Sequence, residues 1–171
     1  QSLIKFNRGG ASPQKGNKVM KINITNKEIV NGSFVVPDGV TEIRDFAFYE
    51  CSSLTNITIP ESVIKIGDYA FYGCSRLTDI TIPESVTEIG IGAFEDCTSL
   101  ESITLPAGVK KIGGGAFYRC SRLTNITIPG GVTWIGWYAF KGCSSLESIT
   151  IPEGVTKIGD YAFYGCNSLT N

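Results

Sequence analysis

The chain of 171 residues contains no histidine, so every catalytic arrangement in which an imidazole activates a serine or a cysteine is excluded. Its 15 basic and 16 acidic residues nearly cancel, and this balance does not indicate a nucleic-acid or membrane partner. The sequence also lacks an apolar run long enough to span a bilayer. We therefore predict a chain that is not an enzyme, with no cofactor, no nucleic-acid partner and no membrane insertion.

What the sequence has in abundance is repetition. Five consecutive stretches of equal length are nearly the same, at 54–76, 77–99, 100–122, 123–145 and 146–168. A shortened earlier copy precedes them and the last three residues begin another. A fixed period of roughly 20–29 residues is typical of leucine-rich-repeat solenoids, in which each repeat forms one coil. A single coil has one uncovered apolar side, so several coils must stack to form a core.

The residues of one repeat predict the local structure of a coil. Ile57 and Ile59 alternate with polar residues over 56–60, which indicates a half-buried strand that a proline ends. A second extended segment is predicted over 63–66 and a short helical turn over 70–74. The predicted fold class is α/β, mostly β. It is a right-handed leucine-rich-repeat solenoid of 23-residue coils, each with one short parallel strand, a second extended segment and a short helical turn.

Equivalent residues should stack in files along the solenoid, about 4.8 Å apart, which is the spacing of paired strands. The largest core residue recurs as phenylalanine, at Phe48, Phe71, Phe94, Phe117, Phe140 and Phe163. We expect the four interior members, residues 71, 94, 117 and 140, to be almost fully buried. One outward file alternates in charge before an aromatic residue interrupts it, as Glu42, Lys65, Glu88, Lys111, Trp134 and Lys157. Adjacent members of opposite charge are predicted to pair across coils.

Six cysteines recur with the same period as the repeat. They are Cys51, Cys74, Cys97, Cys120, Cys143 and Cys166. Each follows the inward phenylalanine by three residues, so we interpret them as free, buried thiols that pack as small hydrophobic groups. A disulfide framework in an exported protein is the alternative. A metal site is disfavoured, because histidine and paired CxxC motifs are both missing.

Proline, Ala-Phe and cysteine recur together in the pattern LTxITIPxxVxxIGxxAFxxC over residues 34–171. This pattern resembles the BspA-like leucine-rich repeats, also called the Treponema pallidum type. The resemblance implies a protein of the kind found on bacterial cell surfaces, in some parasitic protists and in some large viruses. It also implies adhesion or binding of host proteins. A cell-surface or secreted location, and a protein ligand that is extracellular or host-derived, are expected from the resemblance alone.

The two ends of the chain differ from the repeats. Residues 1–19 do not match them and are interpreted as a linker or an N-terminal extension, and 20–171 as the solenoid. Within the solenoid we predict an N-terminal cap over 20–32, repeats over 33–171 and a truncated or uncapped C-terminal end. A cytoplasmic location would follow if Met20 were the natural start. The open C-terminal edge is expected either to self-associate, because unprotected strand edges pair with other chains, or to continue into a longer natural protein with a distinct C-terminal cap.

One coil, 123–145, departs from the small or charged outward residues of its neighbours. Trp134 stands where neighbours have lysine, Trp137 stands where they have aspartate or glycine, and Tyr138 follows. The preceding coil contributes the glycines 113–115, which offer no side chains. Stacked in order, these residues predict a shallow notch walled on one side by three aromatic rings. Because tryptophan and tyrosine are enriched at interface hot spots, Trp134, Trp137 and Tyr138 are the predicted partner-binding residues.

Two classes of function are compatible with the predicted repeat solenoid. The first is a non-catalytic protein–protein interaction or adhesion module of a surface or secreted repeat protein. The alternative is a structural spacer, or the targeting arm of a larger multidomain protein, in which the repeats supply reach rather than recognition. A binding screen against extracellular host proteins separates the module from the spacer.

Overall fold

The computed structural model describes residues 18–20 and 24–170, and in this part the chain forms a parallel β-solenoid. Its strands are only two to four residues long, because each coil must turn several times within one repeat. In chain order they are β1 Lys18–Met20, β2 Ser33–Val35, β3 Val40–Ile43, β4 Asn56–Thr58, β5 Lys65–Ile66, β6 Asp79–Thr81, β7 Glu88–Ile89, β8 Ser102–Thr104, β9 Lys111–Ile112, β10 Asn125–Thr127, β11 Trp134–Ile135 and β12 Lys157–Ile158.

The longest sheet runs along the whole solenoid. Seven strands follow one another in the order β1, β3, β5, β7, β9, β11 and β12, and all neighbours are parallel. Equivalent residues pair in register, as Lys65 does with Glu88, and Trp134 does with both Lys111 and Lys157. These partners are one repeat apart in sequence, which confirms the 23-residue coil that the sequence predicts.

The other strand of a coil belongs to one of two smaller parallel sheets, except in the last described coil, where only an isolated bridge joins Ser148 to Asn125. One contains β2 and β4, and the other contains β6, β8 and β10. Their three residues are exposed, buried and exposed in turn, which confirms the predicted alternation. Strand β4, in the coil formed by 54–76, ends at Thr58, earlier than predicted, and the chain then turns after Pro60. That proline has no N–H to donate, but its carbonyl accepts the N–H of Val63 at 3.0 Å.

The predicted helical turn over 70–74 is wrong, since the structure has a succession of turns there and no helix. An α-helix requires consecutive N–H groups to donate to carbonyls four residues earlier. Here alternate N–H groups donate to carbonyls of the next coil instead. The Phe71 N–H donates to the Ala93 carbonyl at 2.8 Å, whereas the Tyr72 N–H donates within its own coil, to the Tyr69 carbonyl at 3.2 Å. Positive φ angles at Tyr69 (54°) and Gly73 (68°) make this alternation possible.

The core consists of stacked side chains of the same type. The phenylalanine rings lie nearly parallel, with interplanar angles of 2–8° and centroid distances of 5.0–5.5 Å along the file. The four interior phenylalanines are fully buried, as predicted. An offset stack of this kind contributes about 0.5–1.5 kcal/mol beyond the area buried. The repeated ring therefore stabilises each pair of neighbouring coils in the same way.

The cysteines form a second internal file. All six are free, and the first five are buried, which confirms the interpretation as packed thiols. Each thiol also donates to the backbone of the preceding coil. The Cys97 Sγ lies 3.1 Å from the Phe71 carbonyl oxygen, for example, and the Cys120 Sγ lies 3.1 Å from that of Phe94. This bond between coils was not predicted from the sequence.

The N-terminal end of the described solenoid carries additional structure. Strand β1 pairs with β3 and thereby covers one end of the long sheet. Ile24 is buried, its N–H donates to the Ala47 carbonyl at 2.7 Å, and its carbonyl accepts the Cys51 thiol at 3.1 Å. Most of the predicted extension over 1–19, and residues 21–23 of the predicted cap, lie outside the described residues. No helix in 18–20 or 24–170 is long and apolar enough to cross a membrane.

Candidate functional site

A groove of about 450 Å³ lies on the outward face of the seven-stranded sheet. It crosses four consecutive coils, from Lys65 at one end to Trp134 at the other. The backbone at Gly90 and Gly113 and the side chain of Ile91 also line it. The glycines are structurally required, because a Cβ on Gly113 would stand 2.4 Å from the carbonyl oxygen of Gly90. The close approach of these bare backbones leaves a depression between the charged side chains.

The Lys65 end of the groove is electrostatically balanced. The Lys65 ammonium lies 3.9 Å from a carboxylate oxygen of Glu42 and 3.6 Å from one of Glu88. These contacts confirm the predicted pairing of opposite charges across coils. The three side chains are substantially exposed, so each pair contributes at most about 1 kcal/mol.

The Trp134 end is different. Trp134 lies on β11 between two lysines, Lys111 on β9 and Lys157 on β12. Its indole nitrogen is completely buried and has no hydrogen-bond partner among the described residues. An unpaired buried donor of this kind costs about 1–3 kcal/mol. The fold therefore retains an unfavourable feature at the position where the charged file is interrupted.

Trp137 lies next to Trp134 and covers a glycine. The two ring centroids are 6.1 Å apart, with the planes inclined by 56°. The Trp137 ring leans back over the preceding coil, where a Cβ on Gly114 would stand 2.6 Å from it. The ring nevertheless remains 44% exposed. Part of the notch predicted from the glycines is thus filled by Trp137 itself, whereas Gly113 lines the groove.

Tyr138 belongs to a separate aromatic row. Its ring stacks on Tyr161 of the next coil with centroids 5.6 Å apart, and the Lys141 ammonium lies 4.7 Å from its centroid. Within the described part of the chain, no ring contact joins Tyr138 to either tryptophan. The structure therefore brings together two of the three predicted partner-binding residues, Trp134 and Trp137, and places Tyr138 beside a different cluster.

Several titratable groups outside the groove have raised pKa values. Burial raises the pKa of Glu95, nearby Asp96 raises it further, and Arg119 partly offsets both. Burial also raises the pKa of Cys51 to about 11 and holds the pKa of Cys97 far above its usual range, so these thiols stay protonated at neutral pH. Among residues 24–170, no group of three or more histidine, cysteine, aspartate or glutamate side chains could hold a metal ion.

Sequence reasoning missed the basic side of the groove. Lys110 and Lys111 both line it next to Trp134, and neither forms an ion pair within the described ranges. A signal was present for one of them, since Lys110 is the only charged residue in its file. The equivalent residues of the other coils are Thr41, Ile64, Thr87, Thr133 and Thr156.

Known proteins share both the repeat and the solenoid. The BspA type leucine rich repeat region matches residues 26–129 in six copies. The crystal structure of a leucine rich cell surface protein from Faecalibacterium prausnitzii A2-165 is similar, with a TM-score of 0.76 and 45% identity over 81% of this chain and 38% of that one. A leucine-rich repeat protein from Bacteroides ovatus ATCC 8483 has a TM-score of 0.65 and 35% identity over 78% of this chain and 40% of its own.

The leucine-rich repeat protein of T. pallidum is matched over more of its length. It has a TM-score of 0.64 and 34% identity, over 81% of this chain and 78% of that one. The chain spans about two fifths of the F. prausnitzii and B. ovatus proteins, and no curated protein matches it. The six matched copies, the 23-residue coils and these identities show that the chain belongs to the BspA-type leucine-rich-repeat family.

Proposed function

We propose that this chain is a non-catalytic protein-binding or adhesion module of a surface or secreted repeat protein. The observation that carries the proposal is the pair of adjacent tryptophans, Trp134 and Trp137, of which Trp134 lines the end of an open groove. Leucine-rich-repeat proteins are generally protein-interaction modules, and one similar structure is that of a cell surface protein. The expected partner is an extracellular or host-derived protein.

The physical support comes from exposed aromatic area on a rigid framework. Trp137 presents a large ring to solvent. Its carbonyl accepts the Gly115 N–H of the preceding coil at 2.8 Å, and the N–H of the following residue, Tyr138, donates to the Asp160 carbonyl of the next coil at 3.0 Å. Rigid aromatic groups held in this way lose little conformational entropy on binding. Tryptophan is also the residue type most enriched among interface hot spots, together with tyrosine and arginine. Tyr138 is one residue away and belongs to the proposed surface as a peripheral contact.

The test is a binding screen of the chain against a panel of extracellular host proteins, followed by the double change Trp134→Ala and Trp137→Ala. We expect the variant to bind its partner at least about 30-fold more weakly, which corresponds to about 2 kcal/mol of hot-spot energy. Phe46→Ala with Tyr49→Ala is the matched control, since these two rings are also exposed and in contact with each other but lie four coils earlier.

The outcomes separate the proposed function from its alternative. A loss in the tryptophan variant with an unchanged control supports the module and the site. A loss in the control alone would move the binding surface to the aromatic residues around Phe46 and Tyr49. If the wild-type chain binds no member of the panel, the structural spacer or targeting arm becomes the better interpretation, because the coils would then supply reach and not recognition.

A further inference from the structure

We propose that the Trp134 end of the groove binds an acidic side chain of an extended peptide segment, with the carboxylate held between the Trp134 indole N–H and the ammonium groups of Lys110 and Lys111. This inference rests on the proposed protein-binding function and specifies the chemistry of the partner. It is carried by three observations: an unpaired donor, uncompensated positive charge and the length of the groove.

The unpaired donor is the indole N–H of Trp134. Tryptophan can only donate a hydrogen bond, and this N–H has no acceptor among the described residues although it is fully buried. The residues beside it in the sheet are Lys111 and Lys157, whose exposed side chains are long and flexible. Trp134 and Lys111 both line the groove. The proposed complex requires the side chains around the indole to shift, so that an acceptor in the groove reaches the N–H. A carboxylate is the strongest acceptor that a peptide side chain offers.

The positive charge is concentrated at the same end. Lys65 is compensated by Glu42 and Glu88, whereas Lys110 and Lys111 have no carboxylate within ion-pair distance in the described part of the chain. The Lys110 ammonium reaches toward the tryptophan-bearing coil, where it lies 2.8 Å from the position that a Cβ on Gly131 would occupy. A glycine at that position thus gives the ammonium room. The groove is basic at the Trp134 end and balanced at the other.

The length of the groove favours a peptide over a single small anion. From Lys65 to Trp134 it spans three coil spacings, or about 14 Å at about 4.8 Å per coil. Four residues of extended chain cover about the same distance. At the Lys65 end the groove is lined by Asp68 and Glu88, which disfavour a second acidic residue there. The preferred segment therefore places its acidic residue at the Trp134 end and a neutral or basic residue about three positions away.

Trp137 supplies the adjacent apolar contact. Its ring centroid is 6.1 Å from that of Trp134, and almost half of its surface is free. A residue next to the bound acidic side chain would lie over this ring. An apolar or aromatic residue at that position excludes water from the carboxylate and strengthens its bonds to the indole N–H and the lysines.

The experiment uses the whole 171-residue chain and two libraries of acetylated, amidated hexapeptides. The libraries share every random position and differ only in a fixed third residue, aspartate in one and asparagine in the other. We expect the aspartate library to bind at least tenfold more tightly, with an affinity that falls as salt is added, and to shift the indole N–H resonance of Trp134 in NMR spectra. Equal binding of the two libraries would overturn the inference.

Conservative variants identify which side chains bind the carboxylate. Trp134→Phe keeps an aromatic ring and removes the N–H, and Lys110→Gln removes one charge without shortening the side chain greatly. Each is expected to reduce the preference for aspartate at least fivefold. Lys141→Gln makes the same change at a lysine that lies over the Tyr138 and Tyr164 rings, and it should leave the preference unaltered. Unfolding midpoints of all three verify the fold. If Trp134→Phe retains the full preference, the proposed bond does not exist.

The result also distinguishes this inference from the function on which it rests. If Trp134→Phe binds the protein partner as well as wild type while the double alanine variant does not, the protein-binding surface stands and the carboxylate site is wrong. If a sulfated glycan binds in a Trp134-dependent manner and the aspartate library does not, the groove takes a polysaccharide, and the peptide assignment is overturned. Loss of the aspartate preference in both lysine and tryptophan variants supports the assignment.

Discussion

Ile135 and Ile158 occupy the same position in consecutive coils, yet Ile135 is fully buried and Ile158 is 47% exposed. Phe140 is likewise buried and stacked on both sides, whereas Phe163 has a stacking partner on one side and is only partly buried. The two coils have the same residues at their core positions, so the difference comes from what lies beyond each coil. In this solenoid a large core side chain therefore becomes fully buried only when coils stack on both sides of it, whereas the small Ala162 is buried even in the last described coil.

The comparison has a consequence for energetics. In a stack of repeats, stability is approximately the sum of a term for each coil and a term for each interface between coils. A substitution in an interior coil affects two interfaces, and the same substitution in the last described coil affects one. The following predictions test this difference, beginning with the largest expected effect.

The phenylalanine file should show the largest difference. Phe117→Ala removes a ring that stacks at 5.5 Å on Phe94 and at 5.3 Å on Phe140, and it leaves a cavity that the fixed coils cannot close. We expect the free energy of unfolding to fall by about 3–5 kcal/mol. Phe163→Ala should cost less than half as much. Urea titrations of both variants measure the difference, and equal losses would refute the interface argument.

Much of the fold that underlies this comparison could be predicted from the sequence. The constant period and the recurrent Phe and Cys positions were sufficient to predict the solenoid, the buried ring file and the free thiols. They do so because each coil places the same residue in the same environment. The helical turn over 70–74 could not be corrected from the sequence, since a positive φ at Tyr69 is an unusual conformation for a residue with a β-carbon.

The candidate site was predictable only as a departure from the repeat. Trp134 and Trp137 were recognisable because each replaces the residue that its file usually carries. That the Trp137 ring would lean over Gly114, or that the Trp134 N–H would be buried without an acceptor, depends on side-chain orientation, which a repeat pattern does not determine. Tyr138 was grouped with them through adjacency in sequence, but neighbouring residues in a turn point in different directions.

The thiols provide a pH test of the same comparison. Burial raises the pKa of Cys120 well above its usual value, while the unfolded chain has thiols with a pKa of about 8.5. Above that pH the unfolded state releases protons that the folded state keeps, so the stability that this group supplies is complete below about pH 8.5 and is lost as pH rises. The expected loss is about 2 kcal/mol per fully buried thiol between pH 7.5 and pH 10.

Alanine variants assign this loss to individual coils. Cys120→Ala should reduce the alkaline loss of stability by about 2 kcal/mol, because its thiol is fully enclosed. Cys166→Ala should reduce it by less, since Cys166 lies in the last described coil and is only partly buried. Urea titrations at pH 7.5 and pH 10 provide the measurement. The cavity left by each substitution lowers the free energy of unfolding equally at both pH values, so it cancels in the difference between them. An identical alkaline loss in both variants would contradict the prediction.

The exposed side of the last described coil should also promote self-association. Ile151, Ile158, Tyr161 and Tyr164 are all exposed there, and β12 has a paired neighbour on one side only among the described strands. Apolar surface next to an unpaired strand edge associates with other chains. We expect the chain to form dimers or larger species at concentrations of about 0.1–1 mM, on the order of the weak affinities of small interfaces.

A charge at the edge should reverse this association. Ile158→Lys places an ammonium within the exposed apolar surface and should return the chain to a monomer in sedimentation equilibrium. Thr156→Lys is the matched control, because it adds the same charge to the outward face of the same coil, where the equivalent Lys110 is tolerated. Association that persists in Ile158→Lys, or that disappears equally in the control, would show that the edge is not the contact.

The smallest expected effect concerns the outward charged file. Lys65 lies between two carboxylates, those of Glu42 and Glu88, whereas Lys157 pairs in register with Trp134 and has no ion-pair partner in 24–170. Lys65→Gln should therefore cost about 0.2–1 kcal/mol at low salt, and less at about 1 M salt, where the charges are screened. Lys157→Gln should change the free energy of unfolding by less than the experimental error at either salt concentration. Since neither lysine is buried and both have the same strand position, the difference isolates the contribution of neighbouring coils. A salt-independent cost for Lys65→Gln would assign the effect to packing of the lysine stem and not to its charge.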